Sequence, residues 1–162
     1  MRIIGIDPGT AIVGWGIVDY DKGMPIAVAY GHITTPAGMD ISERVVIIAT
    51  QLEEILALHR PDESAVEELF FSNNAKTAMT VSQARGAILL TLRRFGVTVS
   101  GYTPNQVKQS LTSYGSADKH QMQAMIKNIL RLSDIPKPDD VADALAVAVC
   151  HSFARKTNAL RR

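Results

Sequence analysis

The stretch IIGIDPGTAIVGWGIV, residues 3–18, consists of two apolar runs joined by a turn at Pro8-Gly9, and its first run ends on a lone carboxylate, Asp7. Runs rich in Val and Ile that are bounded by turn residues predict buried strands. Burying a charged side chain at the end of such a strand is unfavourable unless a counter-charge, hydrogen bonds or a metal ion offsets the desolvation. Asp7 therefore needs a partner elsewhere in the chain.

Apolar periodicity predicts five strands and five helices. The predicted strands cover residues 2–7, 11–20, 25–34, 64–69 and 97–102. The predicted helices cover residues 41–60, 77–94, 104–113, 117–132 and 138–155. Ser116 is the predicted N-cap of the fourth helix, and Pro138 is predicted in the first turn of the fifth.

This order of elements indicates an α/β fold. A hairpin turn at residues 21–23 joins the second and third strands, and the later strands alternate with helices. Parallel strands need helical crossovers, so we expect a five-stranded mixed sheet, three strands antiparallel and the others parallel, flanked by helices on both faces. The first strand is expected at its centre.

The length of 162 residues suits a single domain, predicted over residues 1–156, with residues 157–162 as a short basic tail. The only cysteine, Cys150, excludes an intramolecular disulfide. The N-terminal residues do not resemble a secretory signal, and no apolar run approaches the length of a membrane span. We therefore expect a soluble, cytoplasmic protein.

Acidic and basic residues are segregated along the chain, although the formal net charge is only +1. Residues 1–68 contain eleven acidic and four basic residues, whereas residues 69–162 contain thirteen basic and five acidic ones. Residues 69–117 contain no acidic residue. Such segregation indicates either a polyanionic partner or a solvated basic face, and charge alone does not separate the two.

Two acidic clusters are candidates to meet Asp7. Glu67 and Glu68 lie on the fourth strand, and at most one of them can share a face with Asp7 because successive strand residues point to opposite faces. Periodicity does not indicate which one.

The second cluster is at the start of the last helix. Asp140 and Asp143 are spaced i, i+3 and share a helix face, whereas Asp139 is expected to complement the helix dipole. Carboxylates gathered near Asp7 repel one another unless cations lie between them, and Mg²⁺ is the cation best suited to a few carboxylates, water and phosphate. Two such ions about 3.5–4 Å apart suit attack of water on a phosphodiester. Mn²⁺ could take the same oxygen ligands.

Four sequence blocks, in order, resemble the RuvC Holliday-junction resolvases. They are IGIDPGT, VEELFFSNNAKTA with SQARG, TPNQVKQ with GSADK, and DDVADALAVAVCH. The resemblance implies a ribonuclease H-like fold and a homodimer that binds a four-way DNA junction in recombination and repair. It also implies symmetric, metal-dependent nicks that ligase can seal, and branch-migration partners resembling RuvA and RuvB.

The resemblance also assigns site residues. It implies four acidic metal ligands, at Asp7, Glu67, Asp140 and Asp143, and so selects Glu67 over Glu68. It places Lys108 and Lys119 near the scissile phosphate, with Lys119 among the catalytic groups. The position of Lys119 also favours a functional role, because a cation in the first turn of a helix opposes the helix dipole and helix stability alone would not select it.

The expected DNA contacts extend beyond the two lysines. Phe70 matches an aromatic residue that the family places at the junction centre, where stacking on a base contributes about 1–3 kcal/mol. Phe71 is adjacent, so which ring meets DNA stays open. The other expected contacts are polar or basic: Asn73, Asn74, Lys76, Arg85 and His120.

The helix predicted at residues 77–94 has an apolar stripe that includes Met79, Ala84, Ile88 and Leu92. The family uses this region for dimerisation, and an intramolecular core must account for part of the stripe.

Three other functions fit parts of the sequence. The IDPGT motif also resembles the phosphate loop of actin-like ATPases and sugar kinases, but those enzymes pair two such folds, and no GxxxxGK[ST] motif is present. A binding module without catalysis would have little use for four carboxylates where phosphates approach. A related nuclease acting on RNA or linear DNA differs mainly in the Phe70 and SQARG blocks.

Overall fold

The computed structural model describes the backbone of residues 1–68, 75–112 and 117–160, and their side chains except at 75–77 and 156–160. The strands are β1 (Arg2–Asp7), β2 (Ile12–Asp21), β3 (Met24–Thr34), β4 (Glu63–Glu67) and β5 (Thr98–Tyr102). The helices are α1 (Ile41–His59), α2 (Ala75–Arg94), α3 (Pro104–Thr112), α4 (Lys119–Ile129) and α5 (Asp139–Leu160). Across these ranges the elements follow the predicted order.

The strands form one mixed sheet in the order β3-β2-β1-β4-β5. β1 pairs antiparallel with β2 and parallel with β4, which places it at the centre. β2 and β3 form the antiparallel hairpin, and β4 pairs parallel with β5. The predicted five-stranded mixed sheet with a central first strand is confirmed.

Alternation along β1 divides the core between two faces of the sheet. Ile3 packs in a cluster with residues of α3, α4 and α5, whereas Ile4 and Ile6 pack with α1 and α2. Successive strand residues point to opposite faces, so a single apolar strand can supply both clusters. The predicted helices on both faces are confirmed; the sides are called below the α5 face and the α1 face.

Two glycines let α5 approach the sheet closely. A Cβ atom on Gly5 would overlap the backbone carbonyl oxygen of Ala144, and one on Gly14 would overlap that of Asp140. Side chains at these positions would therefore push the helix backbone outward. Glycine in β1 and β2 brings the first turns of α5 directly over the central strands.

A hydrogen-bonded network holds the later part of α5 against β4 and β5. The Tyr102 hydroxyl lies 2.8 Å from Nδ1 of His151, and Nε2 of the same ring lies 2.6 Å from a carboxylate oxygen of Glu63. The guanidinium of Arg155 lies 2.7 Å from the other Glu63 oxygen. These contacts fix the position of α5 along the sheet.

Several predicted boundaries differ from the observed ones. Asp118, rather than Ser116, is the N-cap of α4, because its side chain accepts from the Gln121 backbone N–H and the Gln121 side chain reciprocates. Ser116 lies outside the described residues. α5 begins after Pro138 and continues to Leu160, so it extends into the segment expected as a tail. The division into a domain at residues 1–156 and a tail at residues 157–162 stays a prediction.

None of the helices in the described parts of the chain is long and apolar enough to cross a membrane.

The close approach of α5 can be tested by Gly5→Ala. We expect a loss of about 2–3 kcal/mol in the free energy of unfolding, because the new methyl group meets helix backbone that cannot rotate aside. The measurement is urea denaturation followed by circular dichroism.

Gly86→Ala is the matched control. Gly86 is exposed on α2, and its Cβ would meet no described atom within 4 Å. Its substitution should stabilise the protein by about 0.5–1 kcal/mol through helix propensity. Equal effects of the two substitutions would contradict the packing argument.

Candidate active site

Asp7 and Glu67 meet at the carboxyl ends of neighbouring parallel strands. The register pairs Ile6 with Val66, so the next residues of β1 and β4 lie side by side. Ala65 belongs to the core of the α5 face and Val66 to that of the α1 face. Alternation therefore directs Glu67 to the α5 face, where Asp7 lies, and the carboxyl groups of the two are hydrogen-bonded.

The first turns of α5 bring two more carboxyl groups to this point. The charges of Asp143 and Asp140 both raise the pKa of Asp7. The helix backbone at Asp140 can lie this close to the sheet because Gly14 has no side chain to block it. The four acidic residues predicted as a site thus come from three elements and converge at one end of the sheet.

Burial and mutual repulsion perturb the acids of this cluster. Desolvation, reinforced by the charges of Glu67 and Asp143, raises the pKa of Asp7 to about 8. Desolvation also raises the pKa values of Glu67 and Asp143, against the opposing effect of nearby lysines. The hydrogen bond between the two carboxyl groups raises the pKa of Asp7 and lowers that of Glu67.

Lys119 forms ion pairs at the edge of the acidic cluster. Its Nζ lies 3.1 Å from Oδ2 of Asp139 and 3.7 Å from Oδ2 of Asp143. Desolvation lowers the pKa of Lys119, but these carboxylates raise it by a larger amount, so the net shift is upward. Gln123, a buried amide, donates to the other oxygen of Asp139 at 3.0 Å and orients it.

A cleft of about 280 Å³ opens beside these groups. Glu67 and Asp143 line it from the sheet and α5, and Lys108 and Lys119 line it from α3 and α4. The charges of both lysines lower the pKa of Glu67, so they are electrostatically linked to the carboxyl groups. The cleft thus places carboxyl groups and lysine ammonium groups around the same small volume.

Comparison with known proteins identifies the family. Residues 3–151 match the family described as "Crossover junction endodeoxyribonuclease RuvC". The chain belongs to the RuvC family. The protein of that name from Chloroflexus aurantiacus is 51% identical over 157 residues, which cover 97% of this chain and 96% of the relative. The resemblance drawn from the sequence blocks is confirmed, and with it membership of a family of DNA endonucleases.

Solved RuvC structures agree with the fold. The Thermus thermophilus RuvC structure has a TM-score of 0.88 and 35% identity, covering 98% of this chain and 97% of its own. Thermus thermophilus RuvC in complex with a Holliday junction substrate also has a TM-score of 0.88, at 34% identity, covering 97% and 96%. The predicted ribonuclease H-like fold is confirmed.

The donor set of this RuvC chain fits a hard divalent cation. Asp7 and Glu67 supply oxygen atoms only, and burial and crowding raise the pKa of Asp7, so a bound cation would relieve the repulsion between the carboxylates. No three His, Cys, Asp or Glu side chains of the described residues are placed to hold one ion together. Mg²⁺ usually takes one or two carboxylates and keeps several waters, together with substrate phosphate oxygens.

The structure describes the other predicted site residues to different extents. Arg85 is half-buried on α2 and its Nε donates to the carbonyl oxygen of Glu67 at 3.2 Å. His120 is exposed next to Lys119. Lys76 is described only in its backbone, within α2. The remaining predicted contacts, Phe70, Phe71, Asn73 and Asn74, lie outside the described residues.

Two residues at the site were not predicted as part of it. Asp139 was expected only to complement the helix dipole, yet it also binds Lys119 and accepts from Gln123. Gln123 has no motif of its own. A buried amide on an otherwise apolar helix face was the one available signal, since such groups require partners.

The perturbed acids predict a pH dependence of stability without metal. The pKa of Asp7 is 3.8 when unperturbed and about 8 in the folded chain. Between these values the folded chain holds a proton that the unfolded chain has released, so the free energy of unfolding should fall as pH rises. Urea denaturation in EDTA from pH 5 to pH 9 measures this.

Asp7→Asn should weaken that fall, because the amide does not titrate. Glu67 and Asp143 have shifts of the same sign, so part of the slope should remain. An unchanged slope in Asp7→Asn would contradict the assignment to Asp7.

Proposed function

We propose that this chain resolves Holliday junctions, cutting four-way DNA with symmetric nicks in recombination and repair. The observation that carries this proposal is the meeting of Asp7 and Glu67 with the α5 acids, beside two lysines in an open cleft. Membership of the RuvC family supports the choice of a junction over other phosphodiester substrates.

The metal ligands proposed are the four converging acids, Asp7, Glu67, Asp140 and Asp143. Mg²⁺ is the expected ion, two per site, and Mn²⁺ is expected to substitute for it. Bound there, the metal would lower the pKa of the attacking water and stabilise charge on the leaving 3′-oxygen. The protein's contribution is to hold carboxylate oxygens fixed around that position while the sheet shields Asp7 from bulk water.

Lys119 and Lys108 are proposed to bind the scissile phosphate. Both line the cleft that Glu67 enters, and a cation there attracts phosphate oxygens and stabilises the charge that develops on them. Lys119 is held in place by its ion pairs with Asp139 and Asp143. Its ammonium group therefore stays beside the acids, where phosphate would arrive.

Contacts to the rest of the junction are proposed for residues next to the cleft. His120 is exposed on the same turn of α4 as Lys119. Base stacking by Phe70 or Phe71 and backbone contacts by Asn73, Asn74 and Lys76 remain predictions from the family resemblance. The site would thus recognise the phosphate backbone over a wide area and the junction centre through aromatic rings.

A homodimer is proposed because two symmetric nicks need two active sites. On α2, Ala84, Ile88 and Leu92 are buried in the core of their own chain and are not available to a partner. Met79 and Leu90 are exposed on the same helix, at 69% and 61%. We propose these two as the α2 contribution to the dimer. Branch-migration partners resembling RuvA and RuvB, and a cytoplasmic location, also remain predictions.

The proposed activity is tested with end-labelled four-way junctions and matched linear duplexes, in Mg²⁺ or EDTA. We expect paired nicks on the junction only, and only with metal. Asp7→Asn should bind the junction with near-normal affinity and lose detectable cleavage, because a metal ligand is removed without adding charge.

Asp21→Asn is the control, since Asp21 is an exposed acid at the β2–β3 turn. Cleavage retained in Asp7→Asn would refute the ligand assignment. Binding without cuts on several junction sequences would favour a module without catalysis, and cuts on linear DNA would favour a less selective nuclease.

The dimer is tested by Leu90→Glu. A buried charge at an interface is strongly unfavourable, so we expect a shift from dimer to monomer in light scattering after gel filtration. Symmetric paired nicking should be lost with it.

Leu58→Glu is the matched control, because Leu58 is 76% exposed on α1. A dimer that persists in Leu90→Glu would show that α2 does not form the interface at this position.

A further inference from the structure

Arg85 reaches the main chain of a proposed metal ligand from the opposite side of the sheet. Its Nε donates to the carbonyl oxygen of Glu67 at 3.2 Å. Its neighbours on α2, Ala84 and Ile88, pack in the core of the α1 face. The Glu67 carboxyl group points to the α5 face, so the guanidinium reaches the Glu67 backbone from the α1 face.

The position of that bond explains why it matters. The pairing of β1 with β4 ends at Ile6 and Val66, and Glu67 is the next residue. On the other side, the backbone N–H of Glu68 donates to the carbonyl oxygen of Tyr102 at 2.8 Å. Arg85 thus binds the strand at the point where its ladder with the central strand has ended.

Arg85 is not among the residues that line the acidic cleft. It is half-buried, and the side chains that meet the cleft come from β4, α3, α4 and α5. Arg85 contacts Glu67 through a hydrogen bond to its uncharged backbone carbonyl oxygen, not to its carboxylate. This arrangement restrains the strand end without competing for the carboxylate oxygens.

We propose that Arg85 is a positioning residue, which fixes the main chain of Glu67 so that its carboxylate is presented to the metal in one geometry. The proposal rests on the proposed function, in which Glu67 is a ligand. Mg²⁺ accepts only near-ideal octahedral geometry, so small displacements of a ligand weaken its binding. Groups that orient ligands are commonly worth about 10–100-fold in metal affinity or activity.

Three substitutions separate this role from a contact with DNA. In Arg85→Gln the amide nitrogen occupies the same place along the side chain as Nε, so the donor is kept and the charge is lost. In Arg85→Met a methyl group stands there, so both are lost. In Arg85→Lys the charge is kept, but a methylene replaces the donor at that place.

We expect the donor to decide the outcome. The measurement is a calorimetric titration of Mg²⁺ into the DNA-free protein. Mg²⁺ should bind about tenfold more weakly to Arg85→Met than to the wild type, and Arg85→Gln should recover most of that loss. Junction cleavage should follow the same order and should be restored by raising Mg²⁺. Junction affinity in EDTA should be equal for Arg85→Gln and Arg85→Met.

Other outcomes overturn the proposal. Equal Mg²⁺ binding in all variants would make the hydrogen bond structural only. Loss of junction affinity in Arg85→Gln and Arg85→Met together, with recovery in Arg85→Lys, would make Arg85 a phosphate contact. If Arg85→Met fails to fold, the Mg²⁺ affinities of Arg85→Gln and Arg85→Lys are compared instead. An affinity of Arg85→Lys equal to or higher than that of Arg85→Gln would refute the proposal.

The metal titration also separates this inference from the proposed function. If the wild-type protein cuts no junction, the proposed function fails, while calorimetry still reads the effect of Arg85 on metal affinity. If the wild type cuts and the variants match it at limiting Mg²⁺, only the inference fails.

Discussion

The close approach of α5 to β1 and β2 is the contact on which the rest of the site depends. Asp7 is fixed by the central strand, and Asp143 is fixed by the helix, so their separation is set by how deeply the helix sits. Gly5 and Gly14 define that depth, because any side chain there would meet helix backbone. Magnesium ligands must lie about 2.0–2.1 Å from the ion, so a helix displaced by the width of a methyl group could no longer share a site with the strand.

Packing at this depth has an electrostatic consequence. The same contact that builds the core brings carboxyl groups together where water is scarce, and it raises the pKa of Asp7 to about 8. The fold therefore gathers charges that oppose its own stability in the absence of metal. Lys119 and Lys108 compensate part of this repulsion, which links the cationic wall of the cleft to folding as well as to the proposed phosphate binding.

The sequence carried most of the architecture because the strands alternate cleanly and the helices end at turn residues. The interruption of an apolar strand by Asp7 marked the site, and the spacing of Asp140 and Asp143 marked its second element. The choice between Glu67 and Glu68 needed the register of β4 against β1, which local periodicity does not contain.

Contacts between distant elements were also beyond sequence reasoning. Asp139 satisfies the helix-dipole rule that was applied to it, and only tertiary packing shows Lys119 and Gln123 beside it. The apolar stripe of α2 has the same ambiguity. Ile88 and Leu90 are two residues apart and lie on different sides of the helix, and only the tertiary packing shows that the Ile88 side is the buried one.

Helix α2 connects the proposed dimer contact to the proposed metal site. One side packs in the core through Ile88, Arg85 holds the backbone of Glu67, and Leu90 faces outward. Because these positions belong to one helix, a movement of α2 would also move the Arg85 donor relative to the carbonyl oxygen of Glu67. A single helix thus packs in the core, restrains the backbone of a proposed ligand and carries the exposed apolar residues proposed for the dimer.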